Sequence, residues 1–412
     1  MIHGSIVPFV LLLAFLIAYG VIEFRRHHVR LSYIPTRIHV NGTRGKSSVT
    51  RLIYGALRES GVRVAGKTTG THPRYLDVQG IEHQIPRVGK PNIKEQVLTA
   101  RRAFQEHAEA IVFECMALQP EIQSLSEDRI LRATVGVITN VRADHLDVMG
   151  PTVTDVARAL ARTVPRRVVL FTAETDEANL AILEATARRR GTRVVRVTPV
   201  DITEADLGGF EYVEHAENLA LALAVAGHLG IARDVAIRGM WKAAPDPGAL
   251  QIYDADFGGR RIRLVNAFAS NDPDSIALIF DRLHLAAAGG CVIIVVYCRP
   301  DRIQRSEQMA DLLAGRIRYD AALLVGRETR VAAARAIRLG ADPEKIVSLE
   351  GLPVDPVLER IVSLAGEEAT VVGIGNIVGL GEEIVERFRN REESHVLHRS
   401  DWSRARHQSH LL

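Results

Sequence analysis

Cysteine, tryptophan and methionine are scarce in this 412-residue chain, with three, two and five residues. Cys115, Cys291 and Cys298 show no metal-ligand spacing, and two of them lie in apolar, strand-like runs. That excludes a cysteine-rich zinc module and fits reduced thiols packed in a core. A dominant charge of one sign is also missing. Lysine and arginine number 52 against 49 aspartate and glutamate, too even a balance for a dedicated nucleic-acid binder. No internal repeat or low-complexity tract is present. What remains is a chain long enough for two to three domains, 47% hydrophobic and able to bury sizeable cores.

Charge is absent altogether from Gly4 to Ile22, "GSIVPFVLLLAFLIAYGVI". As a helix this run spans roughly 28 Å, close to the hydrocarbon thickness of a bilayer. A cleaved signal peptide would carry lysine or arginine before the run and a small-residue cleavage site after it, and neither is found. Arg25, Arg26, His27, His28 and Arg30 follow instead. The positive-inside rule then predicts a single-pass anchor over 1–24 in the cell membrane, with the N-terminus outside and all that follows cytoplasmic.

After the anchor, strand-like and helix-like segments alternate. "TRIHVN" reads as a strand, and the next run puts Val49, Leu52, Ile53, Ala56 and Leu57 on one helical face, with Gly61 as a stop. Residues 108–114, 133–140, 166–172 and 192–198 are further strand candidates, and 92–107 and 152–163 read as helices. An amphipathic helix spans 214–230. The break "KAAPDPGAL" (242–250) follows, and the alternation then restarts through "RIRLVNAF", "GCVIIVVY", "AALLVG", "KIVSL" and "EATVVGIG". The fold class is therefore α/β. A mostly parallel sheet is expected in a P-loop domain over 25–245, and a smaller Rossmann-like domain over 246–390. The tail, 391–412, has little to bury and reads as disordered.

Gly42, Thr43, Arg44, Gly45, Lys46, Ser47 and Ser48 sit where a strand turns into a helix, the context a phosphate-binding loop requires. Glycines let backbone N–H groups approach phosphates, and the helix N-terminus adds partial positive charge. Lys46 would reach the β- and γ-phosphates, and the Ser47 hydroxyl would ligate Mg²⁺. The loop is a shortened one, because Val40 stands where a full P-loop has its first glycine. Glu114 ends a strand, where a carboxylate can hold Mg²⁺ or polarise its water. "TNVRADHLDVMG" gathers Asn140, Asp144, His145 and Asp147 beyond another strand, a donor set suited to a divalent metal.

These motifs occur in the same order in the Mur ligase-like superfamily. A narrower resemblance rests on "HVNGTRGKSSVTRLI", "GKTTGTHPR", "FECMALQPEIQ", "TNVRADHLDVMGPT", "NAFASNDPDS" and "GIGNIVGLGEEIVERF". Over residues 20–389 the chain resembles the ATP-binding ligase subunits of poly-γ-glutamate synthases, the PgsB/CapB type. The resemblance implies an ADP-forming amide ligase that activates a poly-γ-glutamate carboxylate with ATP and Mg²⁺ and adds glutamate. It implies Glu114 and His145 as magnesium ligands beside Ser47, with Lys46, Glu114 and His145 as the catalytic set and Asn218 on the adenine. It also implies two partners, a small multi-pass membrane subunit (PgsC/CapC type) and an exported subunit (PgsA/CapA type). Oligomerisation is left open.

Three departures from the wider superfamily stand out. Residues 151–166 hold no lysine where many Mur ligases carry a carbamylated one. "NAFASNDPDS" replaces an Asp/Tyr/His-bearing motif, leaving Asn266, Asn271 or Asp272 for ribose or phosphate contacts. "PDPGAL" stands where an arginine-bearing turn is usual. A polyanionic acceptor calls for cations, and Arg74, Arg87 and Arg299 are the candidates, with Lys90, Arg302 and Arg305 near them. Thr68, Thr69 and Thr71 are candidates to line the γ-phosphate or acyl group. The competing reading is a membrane-anchored P-loop ATPase or kinase that regulates polymer export. It leaves "TNVRADHLD" and the second α/β domain without a purpose.

Overall fold

The structure, a computed structural model, describes residues 6–69, 73–87, 91–210, 212, 214–245, 250–270, 273–283, 285 and 290–391. Thr71, Lys90, Asn271, Asp272, part of the 242–250 break and the tail from 392 lie outside them. The chain divides into two compact units at 247/248.

The first unit opens with the helix Ile6–Ser32. It continues past the apolar run, because Arg25, Arg26, His27, His28 and Arg30 interrupt hydrophobicity and not helical geometry. Phe9, Leu11, Phe15, Ile17 and Tyr19 are each more than half exposed, an apolar surface of the kind that meets a membrane or a partner. The helix is long and apolar enough to cross a bilayer. Its end is seated on the rest of the unit, with Leu31 and Ile34 buried. The Arg37 guanidinium donates to the carbonyls of Ile34 and Leu131 at 2.7 and 3.1 Å.

Eight strands follow: β1 Thr36–Asn41, β2 Val64–Thr68, β3 Arg74–Leu76, β4 Glu82–Gln84, β5 Ala110–Glu114, β6 Val135–Ile138, β7 Val169–Thr172 and β8 Arg193–Arg196. Their order across the sheet is β4-β3-β2-β5-β1-β6-β7-β8. β2, β5, β1, β6, β7 and β8 are parallel, and β3 and β4 extend one edge antiparallel. The sequence gives no sign of β3 and β4, which are three residues each and short of a period. The 152–163 helix is Val153–Leu160 plus a 3-10 turn, and it starts where Thr152 and Asp155 cap each other.

The helix Lys46–Glu59 packs Val49, Leu52, Ile53, Ala56 and Leu57 into a core with strands β1, β2, β5, β6 and β7 and the helices Ala216–His228 and Arg233–Trp241. These five side chains are 0–3% exposed, each worth up to ~3 kcal/mol for the larger ones. That burial fixes the helix whose first turn forms the loop. On the opposite face the helix Lys94–Gln105 packs Ala100 and Ala103 against Ile111 and Phe113.

The second unit has six strands: β9 Gln251–Asp256, β10 Arg261–Asn266, β11 Cys291–Cys298, β12 Ala321–Gly326, β13 Ile346–Glu350 and β14 Glu368–Ile374. Their order is β13-β12-β11-β14-β10-β9, parallel except for β9. Apolar clusters cover both faces, which explains the near-continuous hydrophobic runs of β11, β12 and β14.

Candidate nucleotide site

Four parallel strands of the first sheet end side by side, and their carboxyl ends carry the site. β1 runs into Gly42–Gly45, β5 ends in Glu114, β6 leads to Thr139 and Asn140, and β2 leads to Thr68 and Thr69. Gly42 and Gly45 have φ of 131° and 78°, values that disfavour any side chain. Space forbids one too. A Cβ on Gly42 would stand 2.0 Å from Thr139 Oγ1, and one on Gly45 2.3 Å from Asn218 Oδ1.

The loop is clamped by the segment after β6. The Thr43 hydroxyl donates to Asn140 Oδ1 at 2.7 Å, the Arg44 N–H donates to the same oxygen at 3.1 Å, and Thr139 Oγ1 donates to the Arg44 carbonyl at 2.6 Å. Asn140 Oδ1 is thus engaged on the loop. Lys46 folds back, its Nζ donating to the Gly42 and Thr43 carbonyls at 2.8 and 3.2 Å. The buried Ser47 hydroxyl donates to Glu114 Oε2 at 2.9 Å, and the same carboxylate oxygen accepts the Thr69 N–H at 2.7 Å. Glu114 is 2% exposed.

His145 is placed differently. It takes a left-handed backbone, φ 45°, ahead of the four-residue helix Leu146–Met149. Its Nε2 is 3.9 Å from Asp144 Oδ1, and Asp144 Oδ2 is 3.4 Å from Arg44 Nη1. Glu114 therefore meets the loop through Ser47, and His145 through Asp144 and Arg44. Asp147 is exposed. Among the described residues no three His, Cys, Asp or Glu side chains converge on one point. A hydroxyl and a buried carboxylate are hard oxygen donors of the kind Mg²⁺ takes, so Ser47 and Glu114 fit that ion. Asn218 lies against Gly45 and donates to Glu214 at 2.8 Å.

The arginines expected to meet substrate are all engaged within the chain. Arg87 makes a two-point pair with Glu95 at 2.8 and 3.0 Å, Arg74 is 3.5 Å from Glu82, and Arg299 pairs with Asp301 twice at 2.9 Å. In the second unit, Arg305 donates to Asn376 Oδ1 at 3.0 Å, and Asn376 donates to the Tyr297 carbonyl at 2.9 Å. Asn266 is buried at the end of β10.

Lys67 escapes a reading by pattern, because a lysine in a short strand looks like a solvated edge. It is 0% exposed. Its ammonium lies 3.9 Å from Glu95 Oε2 and 3.9 Å from the Met116 sulfur. Burial pulls it down to about 8, while Glu95 and Glu114 pull the other way. A chain of buried polar groups runs nearby. Glu127 Oε2 is 2.8 Å from His39 Nδ1, Ser126 Oγ is 3.5 Å from His39 Nε2 and donates to Gln96 Oε1 at 2.6 Å, and Gln96 Nε2 donates to the Glu114 carbonyl at 3.3 Å. Burial alone would lower His39, but its bonds with Cys115 and Glu127 outweigh this and raise it to about 10.

The comparisons with known proteins identify the family. The Mur ligase middle domain matches residues 40–197, and the poly-gamma-glutamate synthase CapB C-terminal domain matches residues 252–391. The capsule biosynthesis protein CapB of Bacillus anthracis is 38% identical over 382 residues, covering 92% of this chain and 82% of that protein. The chain belongs to the CapB family of poly-γ-glutamate synthases. Another CapB, the PGA synthase of Bacillus subtilis (strain 168), is 37% identical over 380 residues, 91% of this chain and 95% of its own length. Both units share their fold with E. coli FolC in complex with ADP, at a TM-score of 0.66 and 17% identity over 89% of this chain and 94% of that one.

Proposed function

We propose a residue-level mechanism for the ATP-dependent amide ligation that this CapB-family chain performs in poly-γ-glutamate synthesis. A carboxylate is a poor electrophile, because direct attack would have to expel oxide. In the proposed reaction, a terminal carboxylate oxygen of the growing chain attacks the γ-phosphorus of ATP, and ADP leaves. The amine of glutamate then attacks the acyl carbon and loses a proton, and phosphate leaves with the oxygen it took from the carboxylate.

The loop N–H groups from Thr43 to Ser48 would receive the phosphates at the helix N-terminus. Lys46 would exchange the Gly42 and Thr43 carbonyls for the β- and γ-phosphate oxygens and meet the charge that grows there. Ser47 and Glu114 would hold one Mg²⁺, whose charge offsets that of the triphosphate, and His145 would hold a second. The Thr69 N–H holds the Glu114 carboxylate in place. Asn218, packed on Gly45, would border the adenosine. Arg74, Arg87 and Arg299 already hold carboxylates, so each could exchange an internal partner for one from the acceptor.

The domain reading we favour has an anchor over 1–24, an ATP-binding domain over 25–245 and a Rossmann-like domain over 246–390. In it the N-terminus lies outside, the catalytic domains are cytoplasmic, and an adjoining multi-pass subunit and an exported subunit carry the product across the bilayer. The observation that carries the catalytic proposal is the Ser47–Glu114–Thr69 junction beside the folded-back Lys46. Hydroxylamine added to membranes making polymer tests it. A hydroxamate that needs both ATP and acceptor supports acyl phosphate formation. ATP turnover indifferent to acceptor, with no hydroxamate, would favour the regulatory ATPase.

A further inference from the structure

The helix Ile6–Ser32 does not leave the first unit cleanly. At the end of its apolar run, Ile22, Arg25, Arg26, Val29 and Arg30 pass beside Phe104 of the helix Lys94–Gln105 and line an open groove of about 470 Å³. The floor is apolar, made of Ile22, Val29 and Phe104. Tyr33 extends it, with its ring 5.7 Å from that of Phe104 and 68% of its surface exposed.

The rim is cationic. Arg25 and Arg26 are exposed and Arg30 half-buried. Among the described residues none of these three guanidiniums forms an ion pair. Arg102, Arg158, Arg238 and Arg335 elsewhere are each neutralised by a carboxylate at 2.8 Å or closer. The nearest acid on the anchor, Glu23, makes no ion pair with them.

Three features then point to one ligand. A guanidinium fork matches the geometry of a phosphate oxygen pair. An apolar floor beside the fork offers nothing to a free anion but suits an acyl chain. The groove also sits immediately past a run of membrane-spanning length, at the depth of lipid headgroups. We propose that this groove is a binding site for an anionic phospholipid of the adjoining leaflet, with its phosphate on Arg25, Arg26 and Arg30 and its first acyl segment on Ile22, Val29 and Phe104. The inference rests on reading the helix as a membrane anchor.

The test uses the full chain in nanodiscs of phosphatidylcholine, alone or mixed with phosphatidylglycerol, and counts retained lipids by native mass spectrometry. The wild type is expected to retain phosphatidylglycerol roughly tenfold over phosphatidylcholine, and the triple variant Arg25→Gln, Arg26→Gln, Arg30→Gln to lose that preference. Phe104→Ala should weaken retention of both lipids, and inorganic phosphate should not displace either. Equal retention by wild type and triple variant overturns the proposal, as does displacement by inorganic phosphate. Carbonate washing of membranes separates the two readings. A triple variant that stays in the washed membrane but loses the preference supports the groove. A wild-type chain that washes out refutes the anchor and the lipid site with it.

Discussion

The two sheets share an architecture and differ in what they bury. Both are largely parallel and covered on both faces. Within the first unit His39, Arg51, Lys67, Asp77, Glu114, Glu127, Glu174, Asp206 and Glu214 are all less than 9% exposed. Among the described residues of the second, the buried polar side chains are Asn266, Ser306, Thr329 and Asn376, none of them charged. Burying charge is costly unless each one is paired. The first unit bears part of that cost at its site, with His39 on β1, Lys67 on β2 and Glu114 on β5, and part of it elsewhere, as where Arg51 pairs with Glu82 and Asp206 with Arg233. The second unit keeps a dry core and carries its cations at the surface, as at Arg299 and Arg302.

The sharpest way to break this comparison is to remove one buried partner from the first unit. Glu127→Ala leaves His39 enclosed without its carboxylate and is expected to cost about 3–5 kcal/mol of stability, read as a lowered thermal midpoint in detergent. A loss below ~1 kcal/mol would mean that the buried charges are incidental. Next comes Lys46→Ala, expected to cut ligation by roughly 10²–10³-fold while the midpoint stays put. Arg299→Ala, in the second unit, should leave ATP affinity unaltered and raise the requirement for acceptor. Asn376→Ala removes the partner of the Tyr297 carbonyl and should cost about 1–3 kcal/mol, the smaller loss of an uncharged network.

The last test is one of pH. His39 is raised from 6.5 to about 10 in the folded chain. Its contribution is therefore complete below pH 6.5 and is lost as pH rises through 10. Lys67 is lowered from 10.5 to about 8, so the unfolded chain binds its proton more tightly. Stability then gains as pH rises from 8 toward 10.5. The two oppose each other above pH 8. Lys67→Met should steepen the fall in midpoint between pH 8 and 10, and a fall that becomes shallower would contradict the assignment.

Legibility in the sequence followed the range of the interactions. β1, the glycine loop and the helix after it are set by neighbours in the chain, and they stand at Thr36–Asn41 and Lys46–Glu59 as periodicity and turn chemistry indicate. Glu114 was visible as the polar end of an apolar run. The bonds that position it were not, because Ser47 is 67 residues away and Thr69 is 45. Gln96, Ser126 and Glu127 carried no pattern, since they matter only through His39 and the Glu114 carbonyl. Arg74 and Arg87 looked available as cations because Glu82 and Glu95, each eight residues on, become their partners only through the folded backbone, whereas the partner of Arg299, Asp301, stood two residues away in plain view. Lys67 was hidden by its own chemistry, a charge that a short strand almost never encloses.

The central claim is that the first unit transfers phosphate to a carboxylate, and isotope position tests it most directly. Acceptor polymer labelled with ¹⁸O in its terminal carboxylate would be given ATP and glutamate whose carboxylates carry the same label, and the released phosphate analysed by mass. The account predicts one labelled oxygen in each phosphate released by ligation. Unlabelled phosphate alongside normal polymer growth would contradict it.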